Sequence, residues 1–289
     1  MLKKKIILGT AQFDKSYGNF FTKKKNLLQH PVQIKKLLRY AMEKKINSFD
    51  TAIIYKNKTN FFKVLQDNSY IVTKLPKIPI SNKNIEGWII DKVISELKFL
   101  NKNSFGAILL HNSEFLKSSS RLKIISAMNF LKKKNYCKKV GISIYEKDEI
   151  KNHLKYWKPD IIELPYSVFD QRLGEKFLKK LKKDKISLYA RSIFLQGLLI
   201  NNKVPKYFKP WKKEIEGWSE WCENNSISKI NASLNFVLNK TYIDKLVIGF
   251  ENKEQLKEIL NKYKKKNKLK FPNFKIKSKK ILNPYLWKI

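Results

Sequence analysis

Four polar side chains fall where they could act together on a proton: Asp50, Tyr55, Lys74 and His111. Each lies in, or just after, a short apolar run. The runs are INSFDTAIIY (Ile46 to Tyr55), YIVTK (Tyr70 to Lys74) and GAILLH (Gly106 to His111). Each polar group comes at the C-terminal end of its run. In a parallel α/β barrel those ends converge on one face, and catalytic groups gather there. An acid, a phenol, an amine and an imidazole on that face would form a proton-transfer site. Taken singly, the Asp reads as a cap or turn residue, the Tyr and His as core, and the Lys as surface. Their order and their shared placement at strand ends carry the functional reading.

The elements that must position them follow from periodicity. Short apolar runs predict strands at Lys5–Gly9, Ile46–Asp50, Tyr70–Lys74, Gly106–His111, Lys139–Ser143, Ile161–Pro165, Ser187–Ser192 and Lys245–Gly249. Between them lie segments with apolar residues at helical spacing. One is PVQIKKLLRYAMEKK, with Ile34, Leu37, Leu38, Ala41 and Met42 on one face. Others are NIEGWIIDKVISELKFL, RLKIISAMNFLKKK, EKDEIKNHLKYW and GEKFLKKLKK, with two more helical patterns between Trp211 and Asn239. ENKEQLKEILNKY reads as the last helix, with Asn252 as its N-cap. Eight β-then-α units in 289 residues predict one closed (β/α)8 TIM barrel, a fold that typically uses about 250 residues. No G-x-G-x-x-G follows the first strand, which counts against an open dinucleotide-binding sheet. The expected division is a barrel over residues 1–263 and a basic C-terminal tail over 264–289, with Phe271, Phe274, Leu286 and Trp287 docking on the barrel.

Composition narrows the function classes. No apolar stretch approaches the roughly 20 residues of a membrane span. Two cysteines, Cys137 and Cys222, make neither a disulfide framework nor a metal set. His30 and His153 find no matching partner either. A cytoplasmic protein without a metal is the expectation. The net charge of +38 points formally to a polyanion. Yet arginine occurs only at Arg39, Arg121, Arg172 and Arg191, and the lysines are spread along the whole chain. Specific nucleic-acid sites favour the arginine fork. We therefore expect no specific nucleic-acid partner, and only weak, salt-sensitive association.

With strands and polar residues aligned this way, the chain resembles the aldo-keto reductase superfamily over roughly residues 5–262. The resemblance rests on LGTAQF at Leu8–Phe13, FDTAIIY at Phe49–Tyr55, IVTKL at Ile71–Leu75, LLHN at Leu109–Asn112, VGISIY at Val140–Tyr145, IIELPYSVFDQRL at Ile161–Leu173, YARSIFLQGLL at Tyr189–Leu199 and LVIGFENKEQL at Leu246–Leu256. The opening GTAQF, FDQRL and RSIFLQGLL resemble a branch associated with bacterial surface-polysaccharide and activated-sugar pathways.

The resemblance implies reduction of an aldehyde or ketone by direct hydride transfer from a nicotinamide cofactor. Asp50, Tyr55, Lys74 and His111 become the catalytic tetrad, with Tyr55 as proton donor. It further implies cofactor contacts at Gly9, Thr10, Ser143, Glu163, Arg191, Ser192, Gly249, Lys253 and Gln255. Ile144 stands where the family often has Asn, and Glu163 where it commonly has Gln against the carboxamide. Many NADP-preferring members have Arg where this chain has Gln255. Lys253 or Lys257 would then supply the charge, and NADP(H) is expected over NAD(H). The competing readings are a barrel that binds or regulates without turnover, and a Schiff-base lyase using Lys74. The small-molecule carbonyl and the oligomeric state are left open.

Overall fold

Side chains alternate across a β-strand, so residues two apart share a face. In a closed barrel one face looks inward and the other toward the helices. A computed structural model describes residues 5–14, 31–55, 64–79, 83–111, 113–117, 119–250, 252–261 and 269–287. Its eight strands are β1 (Ile6–Gly9), β2 (Ser48–Asp50), β3 (Tyr70–Leu75), β4 (Ala107–Leu110), β5 (Val140–Ser143), β6 (Ile161–Pro165), β7 (Ser187–Arg191) and β8 (Lys245–Ile248). They form one closed barrel in chain order. All pairings are parallel, and β1 closes on β8 through Ile6–Leu246 and Leu8–Ile248.

The alternation sorts the core into two shells. Ile7, Val72, Ala107, Leu109, Ile161, Tyr189 and Val247 fill the barrel interior. Their neighbours Ile6, Leu8, Phe49, Ile71, Ile108, Leu110, Ile142, Ile162 and Leu188 face the helices. One step of two beyond the inward shell lies a polar or small residue on nearly every strand: Gly9, Lys74, His111, Glu163, Arg191 and Gly249. Asp50 and Ser143 have the same parity on β2 and β5. The barrel thus changes from an oily plug to a ring of functional groups within one residue pair, about 6–7 Å of strand rise.

The outer layer is helical. It comprises α1 (Pro31–Glu43), α2 (Ile85–Phe99), α3 (Arg121–Lys133), α4 (Asp148–Lys151), α5 (Glu175–Lys183), α6 (Lys212–Asn224), α7 (Lys229–Leu238), α8 (Lys253–Asn261) and a short α9 (Lys279–Leu282). On α1 the buried stripe is Ile34, Leu37, Leu38 and Ala41. The Asn252 side chain accepts from the Gln255 amide (2.8 Å), as the cap reading predicts. The β2–β3 connection falls partly on residues outside those described. One predicted helix is much shorter than expected. EKDEIKNHLKYW gives a single α-turn at Asp148–Lys151, followed by turns in which His153 and Tyr156 donate to carbonyls three residues back (2.8 and 2.9 Å). Pro159 disfavours helix in the residue before it, and the chain tightens ahead of it.

Residues 269–287 pack on α6 and α7 through aromatic rings. Phe271 meets Trp221 (4.8 Å between centroids) and Phe236 (5.2 Å), and Phe274 meets Trp218 (5.4 Å). Trp287 packs edge-on against Phe208 at 4.8 Å. Leu286 differs from expectation and stays 40% exposed.

Candidate active site

The C-terminal mouth of the barrel holds a cleft of about 240 Å³. Asp50, Tyr55, Lys74 and His111 all line it, together with Gly9, Ser143, Glu163, Arg191, Ser192, Gly249 and Gln255. Two of the sequence-predicted residues are elsewhere. Thr10 is one step out of parity with Gly9, and its buried hydroxyl donates to the Asp50 carbonyl (2.9 Å) instead of facing the cleft. Lys253 lies over the ring of Tyr40 (5.1 Å), outside the cleft wall.

Lys74 is the centre of the site. Its ammonium is buried and reaches both oxygens of Asp50 at 2.6 Å. It also lies 3.4 Å from the Thr51 carbonyl and 3.5 Å from Glu163 Oε2. The Asp50–Lys74 pair is therefore part of an acid–amine–acid cluster, because Glu163 stands beside it. Glu163 is 1% exposed, and its Oε2 accepts no hydrogen bond among the described residues. Its Oε1 accepts from Ser143 (3.2 Å) and lies 3.7 Å from Arg191 Nε. Burial disfavours a charged Lys74, but the two carboxylates more than offset it and hold the amine's pKa above the ordinary lysine value. Burial, and next the Glu163 charge, push Asp50 above the ordinary carboxyl value.

Backbone bonds between neighbouring strands place Tyr55. Thr51 N donates to Val72 O (2.8 Å) and Ile53 N to Lys74 O (3.1 Å), stitching the loop after β2 to β3. Tyr55 N then closes a turn on Ala52 O (3.1 Å). The phenol is thereby carried onto the same cleft wall as Lys74.

His111 stands at the rim. Desolvation, followed by the Lys74 charge, lowers its pKa. The folded state thus takes up the His111 proton at lower pH than the unfolded chain. The associated stability is present above the unfolded pKa of about 6.5 and is lost as pH falls toward the lowered value. Between pH 7 and pH 5 the unfolding midpoint of the wild type should drop further than that of His111→Gln. Equal drops in the two proteins would show that the imidazole is not desolvated in the fold.

Sequence reasoning missed three contributors. Tyr145, on the cleft wall, presents its ring to Arg191, whose guanidinium carbon stands 4.2 Å from the centroid. Glu149 accepts from the amides of Tyr145 (3.0 Å) and Glu146 (2.6 Å), and from the hydroxyl of Ser113 (2.8 Å). It ties the loop after β5 to the loop that follows His111. Gln12 also lines the cleft, next to Gly249. Only the i, i+3 spacing of Glu146 and Glu149 beside VGISIY offered a signal. The loop after β7 is strained where it meets the cleft. Ser192, Gln196 and Gly197 line it with φ of 58°, 53° and 91°. Non-glycine residues in the left-handed region cost about 1–3 kcal/mol and cluster at functional sites.

The chain is similar to known proteins. A family model described as "Aldo/keto reductase family" matches residues 5–274. An aldo-keto reductase from Bacillus halodurans is similar in structure. Its holo form has a TM-score of 0.72 at 18% identity, covering 89% of this chain and 85% of the other. Its apo form has a TM-score of 0.69 at 19% identity, covering 81% of each. A protein of Escherichia coli (strain K12) named NADH-specific methylglyoxal reductase is 22% identical over 150 residues. That alignment takes in 46% of each chain, so this chain matches about half the length of that relative.

Proposed function

Because the chain belongs to the aldo/keto reductase family, we propose that it reduces an aldehyde or ketone at this cleft, with a nicotinamide dinucleotide as reductant and Tyr55 as proton donor. The observation that carries the reading is the buried Lys74 ammonium, held by Asp50 at 2.6 Å on a cleft that Tyr55 and His111 also line. The residues present fit such a cofactor. Glu163 Oε2 is a buried acceptor, beside Ser143, that a carboxamide N–H can use. A Cβ at Gly249 would meet the end of the Gln12 side chain, so a bare Gly249 lets Gln12 lie along that stretch of wall. Arg191, Ser192 and Gln255 would hold the ring side and the phosphates.

The cofactor, when bound, supplies the hydride. The protein's part is the developing negative charge on the carbonyl oxygen. A hydrogen-bond donor or acid aimed at that charge lowers the barrier. A free phenol has a pKa of about 10, and an adjacent ammonium favours its phenolate form. Lys74 plays that part for Tyr55, and Asp50 keeps the amine charged and oriented. His111 contributes a second donor from the rim. The assay that tests the reading is a cofactor titration, then a panel of aldehydes and ketones followed by nicotinamide absorbance. No turnover on any carbonyl would sink it.

We place a sugar or nucleotide-linked sugar carbonyl first among substrates, and the net charge of +38 favours the phosphate-bearing, nucleotide-linked form. Methylglyoxal belongs on the same panel because the Escherichia coli relative is named for it. A cytoplasmic setting suits two buried, unbridged cysteines, Cys137 and Cys222.

For the cofactor we propose NADP(H) over NAD(H), through lysine charge at the start of α8. Gln255 on the cleft wall provides no arginine fork, and Lys253 over Tyr40 is a point charge beside it. NADPH should then bind more tightly than NADH at low salt. The difference should shrink as salt screens exposed charges over about 8–10 Å. Equal affinities at low salt, or tighter NADH, would refute this preference.

A further inference from the structure

The FDQRL motif holds no residue that lines the cleft, yet Arg172 within it makes a dense set of contacts. Its guanidinium grips Asp170 through two bonds (2.8 and 2.7 Å) and reaches Glu146 Oε1 at 3.1 Å. It also donates to the Asn283 side chain (2.6 Å) and the Leu282 carbonyl (3.1 Å). Lys279 adds a second cation on Glu146 at 3.2 Å. The C-terminal segment is thereby fastened to the loop that follows β5.

From that anchor a chain of contacts leads into the cleft. Asn283 donates to the Tyr285 hydroxyl (2.9 Å). The Tyr285 and Tyr145 rings meet edge to face, 5.5 Å apart at 84°. Arg191 lies 4.2 Å from the centroid of the Tyr145 ring. Arg191 donates to the Ile144 carbonyl (3.2 Å) and stands 3.7 Å from Glu163, whose other oxygen is 3.5 Å from Lys74. Tyr285 itself is 66% exposed and does not line the cleft. A ring left so open contributes little core packing. Among the described residues, its ring meets one aromatic partner, Tyr145.

We infer that Tyr285 is a positioning residue for the cofactor side of the site: held by the Arg172 anchor, it fixes the Tyr145 ring on which Arg191 rests. This rests on the reductase reading above and adds the C-terminal segment to the cofactor-binding apparatus. Without Tyr285 the Tyr145 ring can turn, and Arg191 keeps its polar contacts to Ile144 and Glu163 but loses the aromatic face that supports its guanidinium. The cost falls on cofactor affinity, because Tyr285 touches neither Tyr55 nor Lys74.

The test compares wild type, Tyr285→Ala and Tyr285→Phe by NADPH and NADH titration of tryptophan fluorescence, steady-state kinetics and thermal unfolding. For Tyr285→Ala the dissociation constant and the cofactor KM should rise together by about tenfold, equivalent to about 1.4 kcal/mol. Its kcat at saturating cofactor and its unfolding midpoint should hold. Tyr285→Phe keeps the ring and should bind nearly as well as wild type. Unchanged cofactor affinity in Tyr285→Ala overturns the inference. So does an affinity loss in both variants that tracks a lower unfolding midpoint, which would make the segment packing alone. A wild type that binds neither dinucleotide fails at the first titration and overturns the reductase reading, and this inference with it.

Discussion

Tyr55→Phe should remove most of the turnover while leaving cofactor binding and the unfolding midpoint close to wild type. Tyr55 sits in a turn beyond β2, half-buried, and lines the cleft. The fold holds it by backbone bonds, since the Tyr55 amide donates to Ala52 O. Deleting one oxygen therefore leaves that scaffold in place. In the proposed mechanism, what is lost is the group that meets the substrate oxygen as negative charge builds. General acid–base groups contribute typically about 10²–10⁴-fold, and a loss in kcat of that order is expected. The cofactor dissociation constant, measured without substrate, should not move. A Tyr55→Phe protein with full activity would move the proton donor elsewhere, and His111 would be the next candidate.

Lys74→Met is expected to be harmful twice over. Turnover should fall at least as far as in Tyr55→Phe, because the phenol loses the charge that eases proton release. Stability should fall too, which Tyr55→Phe does not cause. Asp50 and Glu163 are both buried beside the ammonium, and its removal leaves two carboxylates without it. Removing one partner of a buried ion pair typically costs about 3–5 kcal/mol. The sign of the pH dependence follows. Asp50 already has a raised pKa in the fold, and losing Lys74 raises it further. The folded state then binds protons more strongly than the unfolded one, so the deficit is small in acid and grows as pH rises through the raised value. Because Asp50 is pushed up to about 8 in the wild type, thermal unfolding of both proteins at pH 5 and pH 9.5 should show the larger drop for Lys74→Met at pH 9.5. Adding Asp50→Asn should restore part of the midpoint and none of the turnover. An active Lys74→Met would make the amine a structural group only.

The strands and their parity were legible because they depend on local, short-range patterns. A run such as YIVTK places Val72 and Lys74 on one face whatever lies around it, since the pleat alone dictates a period of two. The predicted strands and the observed ones agree within a residue or two at their ends. The cap at Asn252 is local in the same way: an amide three residues on must find an acceptor. Convergence of Asp50, Lys74 and His111 at strand ends needed only the further premise of a closed parallel barrel, which eight strand–helix repeats supply.

Only tertiary structure could decide which of those groups touch. That Glu163 joins Lys74 and Asp50 depends on how β6 and β3 face each other across the barrel, and thus on the stagger of all the strands between them. The same holds for Arg191 on Tyr145 and for Tyr145 on Tyr285, contacts between three segments far apart in the chain. Thr10 and Lys253 illustrate the limit from the other side. Sequence resemblance placed both at the cofactor; the barrel turns the Thr10 hydroxyl onto the Asp50 carbonyl and sets Lys253 over Tyr40, beside the cleft wall and not on it. Sequence alone determined the barrel, the inward-facing register and the identity of the four catalytic candidates, because alternation is a property of the local backbone. The tertiary structure decided the charge balance around Lys74 and the anchoring of the C-terminal segment, because those depend on distances that exist only once the barrel has closed.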